Sequence, residues 1–215
     1  MVEREWSFVI GDHTVVLVAA ICGLASEVEL IRGAMDRCRP RAAGISVTTA
    51  QIENLRKWNA SEEQPEPDYS DFDIFYMREM SRFGDVVLPS PSHLFTVAAG
   101  DATGMDVVGL DMDDDDYTDL YMANVTPVSL FFDSIFRKRR LRKHFEGSAE
   151  EVVLRLDEAG RHPEGIARIE AEREKHMAGR ILECASSYGR FLAVVDYERA
   201  EGVRRRLGEQ ALTVT

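Results

Sequence analysis

Several residues able to do chemistry stand where short apolar runs end. Cys22 follows Val15–Ile21, Ser46 follows Ala42–Ile45, Asp111 follows Val107–Leu110, and Asp196 follows Phe191–Val195, with Arg199 three residues on. If these runs are parallel strands, their carboxyl ends form the edge of the sheet where α/β proteins bind ligands, and the five side chains converge there. A thiol can serve as a nucleophile or soft metal ligand, carboxylates as bases or cation ligands, and a guanidinium as an anion holder. A nucleophilic cysteine also needs a base. His13, His93, His144, His162 and His176 all lie outside any recognisable cysteine-hydrolase signature, so a small buried strand-end residue is the favoured reading of Cys22.

Two charged runs invite a ligand and yield to simpler readings. Asp111-Met112-Asp113-Asp114-Asp115-Asp116 fails the calcium-loop pattern, having Asp116 where glycine is required and Met122 where the bidentate glutamate belongs. Acidic residues favour the positive end of a helix, so the run reads as a first helical turn. Between Phe136 and Phe145, six Lys and Arg residues alternate with Phe136, Leu141 and Phe145. That spacing suits a solvated helix face opposite an acidic remainder better than a nucleic-acid patch.

The elements that must position these residues alternate between strand and helix. Trp6–Ile10, the Gly11-Asp12 turn and the run from Thr14 read as a hairpin, and the unbroken apolar run suits a strand covered on both faces. Strands are expected over 14–21, 42–47, 85–88, 106–110 and 191–195. Ser26-Glu27-Val28-Glu29 reads as a capping box for a helix stopped by Pro40, and Thr48 opens a helix with Ile52 and Leu55 inward. The segment 59–70 carries Ser, Pro and acidic residues and reads as a surface loop; a helix bearing Phe72, Phe75, Tyr76, Met80 and Phe83 follows. Ser90-Pro91 starts a helix ending near Gly104, and Thr126-Pro127 starts one carrying Val128, Phe131, Phe132 and Ile135. Ser148 caps the next, and Ile166 to Tyr188 is a long helix closed by Gly189. On its apolar stripe, Met177 and Ile181 lie four and eight residues after Arg173, so the Glu172-Arg173 pair is expected to turn inward, with the guanidinium paired. The expected fold is a single α/β domain over 1–215, a mixed, mostly parallel sheet flanked by helices with a helical section in the second half.

Composition narrows the partners. The chain has 215 residues, 38 acidic against 26 basic, and a net charge of −12, which opposes nucleic acid and anionic lipid. The three cysteines are odd in number and form no Cys-x-x-Cys pair, so a reduced, cytoplasmic protein without structural zinc is expected. The apolar stretch 8–24 is interrupted by Asp12 and His13 and is too short to span a membrane.

Over nearly its whole length the chain resembles the TraB/PrgY group, relatives of the Tiki proteases. The resemblance rests on Val15–Cys22 followed by the Ser26 helix and Arg39-Pro40-Arg41, on Gly109-Leu110-Asp111-Met112, on Glu172-Arg173-Glu174-Lys175-His176-Met177-Ala178, and on Phe191–Val195 before Gly202-Val203. In that family, histidines of two Gly-x-x-His motifs and a strand-end glutamate are the proposed metal and catalytic residues. The resemblance puts those histidines at Cys22 and Arg199, their glycines at Ala19 and Asp196, and the glutamate at Ser46. Met112 stands at the arginine of the family's Asp-Arg step, while Glu172 and Arg173 match. An arginine donates no lone pair and opposes a cation by its charge, so the resemblance implies a degenerate metallohydrolase site, now a binding or regulatory one. Its pocket would comprise Cys22, Ser46, Asp111, Glu172, Arg173, Asp196 and Arg199, with no metal or other cofactor and a peptide or protein partner.

Two alternatives stand beside it. One is a rebuilt hydrolase or peptidase, cysteine-dependent or holding a divalent metal. Cys22 would act in it with carboxylates from Asp196, Asp111 or Glu172, and with Arg173 or Arg199 on an anionic group. The other is an interaction protein using the acidic 60–73 segment or the basic run. A shared pocket with a histidine or carboxylate beside Cys22 favours the enzyme, and scattered positions favour the interaction protein.

Overall fold

The computed structural model describes residues 3–62, 68–128, 130, 143–160 and 165–213. Five strands form one sheet in the order β1-β2-β5-β3-β4: β1 Glu5–Ile10, β2 His13–Ala20, β3 Ala42–Ile45, β4 Asp106–Gly109 and β5 Arg190–Asp196. The β1–β2 hairpin is antiparallel and closes at Gly11, whose φ of 61° suits glycine. The other pairings, β2–β5, β5–β3 and β3–β4, are parallel. The expected α/β class and mostly parallel sheet are therefore present.

Alternation along the strands divides the core. Val16, Val18, Ala20, Ala43, Ile45, Leu192 and Val194 face α1 (Glu27–Cys38), α2 (Thr49–Ala60) and α4 (Pro91–Thr103). Their neighbours Val15, Leu17, Ala19, Ala42, Phe191, Ala193 and Val195 face α7 (Ile166–Tyr188) and α8 (Tyr197–Thr213). With both faces covered, β2 and β5 are apolar between their ends, and their polar residues His13, Thr14, Arg190 and Asp196 stand at strand termini. A third cluster joins Ile21 and Leu24, beyond the end of β2, to Tyr76 and Met80 of α3 (Asp71–Met80) and to Val152, Val153 and Leu156 of α6 (Ala149–Gly160). The remaining helix, α5 (Asp114–Asn124), lies between β4 and the partly described second half and packs on α7.

Local chemistry explains several element ends and corrects others. Thr48 and Gln51 form a reciprocal capping box at α2, and Ser148 and Glu151 do the same at α6. Asp113 precedes α5 in extended backbone without a side-chain cap bond, and Asp114–Asp116 fill its first turn, where the helix dipole favours them. Ser26 makes no cap, because it already has helical dihedrals (φ −63°, ψ −21°) while a capping residue needs extended backbone. The strand expected over 85–88 is only a single bridge, Val86 to Leu24. Its backbone is taken up by the loop after β2, through Ala25 N to Asp85 O (2.9 Å) and Val87 N to Gly23 O (2.8 Å), and Pro89 then prevents a ladder. The expected helix residues Phe131, Phe132 and Ile135, the basic run up to Arg142, and positions 63–67 of the acidic loop lie outside the described residues.

Candidate functional site: a cavity at the carboxyl ends of the strands

The carboxyl ends of β2, β3, β4 and β5 open on a cavity of about 430 Å³. It is lined by every candidate named from the sequence except Glu172. Wider grooves exist elsewhere, of about 630 Å³ between α5 and α7 and about 810 Å³ beside α1 and α4. The smaller cavity is where buried polar groups from four strands meet, and we take it as the candidate site.

Beyond β2 the chain turns sharply and its backbone is held by side chains. Ile21 N donates to Glu27 Oε2 (3.2 Å), and the buried Glu27 also accepts from Arg4 (3.0 Å). Gly23 (φ 83°) donates to Ser90 Oγ (3.1 Å), itself 2.8 Å from Ser92 Oγ, so Ser90 serves this turn rather than capping α4. The Tyr76 hydroxyl donates to the Cys22 carbonyl (2.7 Å). The Cys22 side chain faces the cavity, and burial pushes its thiol far above the usual range. Asp196 and Glu198 add to that shift, against Ser90 and Arg199.

Ser46, at the end of β3, accepts the backbone N–H of Asp196 (3.1 Å), tying the ends of β3 and β5 together. At β4, Gly109 lets the start of α2 approach closely: a Cβ there would stand 2.5 Å from Thr49 N and 2.8 Å from Val47 O. That approach brings Thr48 and Gln51 to the cavity wall. Asp111 follows, and its carboxylate grips Arg173 of α7 through both oxygens, at 3.2 Å from Nε and by a shorter contact to Nη2.

The two arginines anchor a buried ionic network. Arg173 also donates to Glu170 (2.8 Å) and lies over the Tyr117 ring of α5 at 5.5 Å. Arg199, the third residue of α8, donates to Glu170 (3.0 Å), Glu198 (3.1 Å) and Asp196 (3.4 Å). Their side chains are 16% and 13% exposed, so these contacts act in a largely water-free setting. Burial raises the Asp196 carboxyl above its ordinary range, while Arg199, Ser46 and Arg173 oppose the shift.

Arg173 thus turns inward, paired, as expected, but its neighbour does not. Glu172 is 45% exposed, pairs with Lys175 (3.2 Å) and lines the α5–α7 groove instead. Successive residues on a helix point about 100° apart, and that turn carries Glu172 from the cavity side to the groove beside α5. The carboxylate that does serve the network is Glu170, three residues before Arg173 on the same face. Sequence reasoning missed it, although its place between Ile169 and Arg173 on the apolar stripe was a usable signal.

His93 was also missed. It sits in the first turn of α4 with 6% exposure, and Nε2 has no hydrogen-bond partner; Asp196 Oδ1 is 3.7 Å away. Burial lowers its pKa to about 4, against the pull of Glu198, so the ring is neutral at physiological pH. Its signal was Ser90-Pro91, which fixes a helix start and so places the third residue of that helix.

Arg199 supplies no donor atom, and among the described residues no group of three or more His, Cys, Asp or Glu is arranged to hold a metal ion. Nor is any described helix long and apolar enough to cross a membrane. No protein-family profile matches the chain, and no curated protein matches it.

Proposed function

We propose that this is a binding or regulatory domain of TraB/PrgY-like descent, in which the metallohydrolase chemistry of the strand-end site has been lost. The observation that carries the reading is Arg199, buried at the cavity and held by Glu170, Asp196 and Glu198. A fixed guanidinium there supplies the positive charge that a divalent cation would bring, and it satisfies carboxylates that would otherwise need one. The ligand enters at the strand ends, and the paired ions act as a rigid wall.

A cysteine-dependent hydrolase is the second reading, because His93 and Asp196 share the cavity with Cys22. The electrostatics weigh against it. A thiol–histidine pair works as thiolate and imidazolium, whereas here burial holds the thiol protonated and the imidazole neutral.

The test is thermal melting with manganese, cobalt or zinc. The wild type is expected to show no metal-dependent rise in Tm. A variant combining Cys22→His, Ser46→Glu and Arg199→His, which restores the donor types of the resembled family, is expected to show one. Stoichiometric metal in wild-type protein purified without chelator, lost on Cys22→Ala, overturns the proposal, as does metal-dependent peptidase activity.

A further inference from the structure

His93 Nε2 is a buried nitrogen without a partner, on the wall of a cavity. Such a group destabilises a fold unless something meets it. Asp196 Oδ1, at 3.7 Å, is too far for a hydrogen bond to it. A donor nitrogen seated between the two would be within hydrogen-bonding reach of both.

The charges around the cavity select the sign of what binds. Arg173 is engaged by Asp111 and Glu170, and Arg199 by Glu170, Asp196 and Glu198. Neither guanidinium faces the cavity without carboxylates already upon it, and Asp114 adds another to the lining. The lining carries three carboxylates, Asp111, Asp114 and Asp196, against two guanidiniums, Arg173 and Arg199, so an anion would have to break an existing ion pair whereas a monocation meets a wall of net negative charge. The neutral imidazole can carry its proton on Nδ1 and offer Nε2 as an acceptor. Bare metal ions are poorly served, since among the described residues no group of three or more His, Cys, Asp or Glu is arranged to hold one. An alkylammonium brings its own N–H donors and needs only acceptors.

We infer that the cavity binds a small organic cation through a primary ammonium group donating to Asp196 Oδ1 and His93 Nε2. Thr48 and Gln51 on the α2 side supply further polar contacts. The inference rests on the reading of this domain as a binder, and it gives that binder a ligand class.

The probe is ethylammonium chloride, titrated into the full chain with 15N-labelled histidine, followed by the His93 ring-nitrogen resonances and by Tm. Controls at equal ionic strength are tetramethylammonium chloride, which has the charge but no N–H, and sodium acetate. Saturable movement of the His93 Nε2 signal and a rise in Tm are expected with ethylammonium alone. Asp196→Asn is expected to weaken binding about tenfold or more, the weight of one charged hydrogen bond. His93→Phe, which keeps the packing and removes the acceptor, is expected to weaken it several-fold by Tm and serves if the first variant does not fold. Absence of saturable binding overturns the inference. So does an equal response to tetramethylammonium or acetate, or undiminished affinity in the folded variants. Failure here with a metal-free wild type removes only the ligand class, whereas stoichiometric metal removes the underlying reading.

Discussion

Replacing Arg199 by methionine keeps much of the side chain's apolar length and removes its charge. In the native chain that charge faces Glu170, Asp196 and Glu198 at 3.0–3.4 Å, and the guanidinium is only 13% exposed. Taking one partner from a buried ionic network leaves uncompensated charge and costs about 3–5 kcal/mol. With a urea slope of about 3 kcal/mol per molar, the unfolding midpoint falls by about 1–1.7 M. The loss must also depend on pH. Asp196 already titrates above its ordinary range because of burial, and Arg199 is the leading influence holding it down. Removing Arg199 raises the folded-state pKa further, so the folded variant takes up a proton that the unfolded chain, titrating near 3.9, does not. A group with a raised folded pKa favours the fold below its unfolded value, and that support is lost as pH rises through the folded value. The defect of Arg199→Met is therefore largest at pH 7 and shrinks toward pH 5. Urea titrations followed by tryptophan fluorescence at both pH values measure it. A loss under 1 kcal/mol, or one equal at the two pH values, would refute the account of a buried, charge-balanced network.

Two further outcomes follow from the same geometry. Cys22 is expected to resist iodoacetamide in the folded protein at pH 8 and to react in urea, because burial and the neighbouring carboxylates keep it a thiol; mass spectrometry of the labelled peptide decides, and rapid native labelling would restore the cysteine-hydrolase reading. Gly109→Ala is expected to cost more than the ~1–3 kcal/mol of ordinary overpacking, because its Cβ meets backbone of the Val47–Thr49 segment rather than movable side chains. A melting temperature within a few degrees of wild type contradicts that close approach.

The parts of this fold that can be read from sequence are those where one physical signal dominates. Val15–Ile21 and Phe191–Val195 are apolar throughout because both faces of the sheet are covered, and a run of that kind has few other uses. Caps at Thr48 and Ser148 were legible because the partner residues stand at the right spacing. Ser26 shows the limit: its sequence pattern is equally good, but the turn held by Glu27 gives it helical dihedrals, and that constraint is tertiary. The segment 85–88 failed for a related reason, since four residues cannot reveal whether a neighbour will pair with them or a loop will occupy their backbone. In the cavity, strand-end residues were predictable from topology alone. Glu170 and His93 come from helices, and placing them requires knowing which helix faces the strand ends. Strand order lay beyond reach, because no local pattern says that β5 enters between β2 and β3.

That entry has a consequence for how the chain can be made. β2 ladders with β1 and β5, and β3 with β5 and β4, so the two halves of the sheet join through the strand at 190–196. A ribosome emits the flanking strands first and the central one after all of them. Until it emerges, the hairpin and the β3–β4 pair each present an open parallel edge of apolar residues. Folding must then be a late, cooperative event that closes a separation of 176 positions (190 − 14) as Thr14 meets Arg190. A nascent chain stalled before 190 holds two exposed edges able to pair with other chains, so during synthesis this protein is expected to depend on chaperones until its last strand arrives.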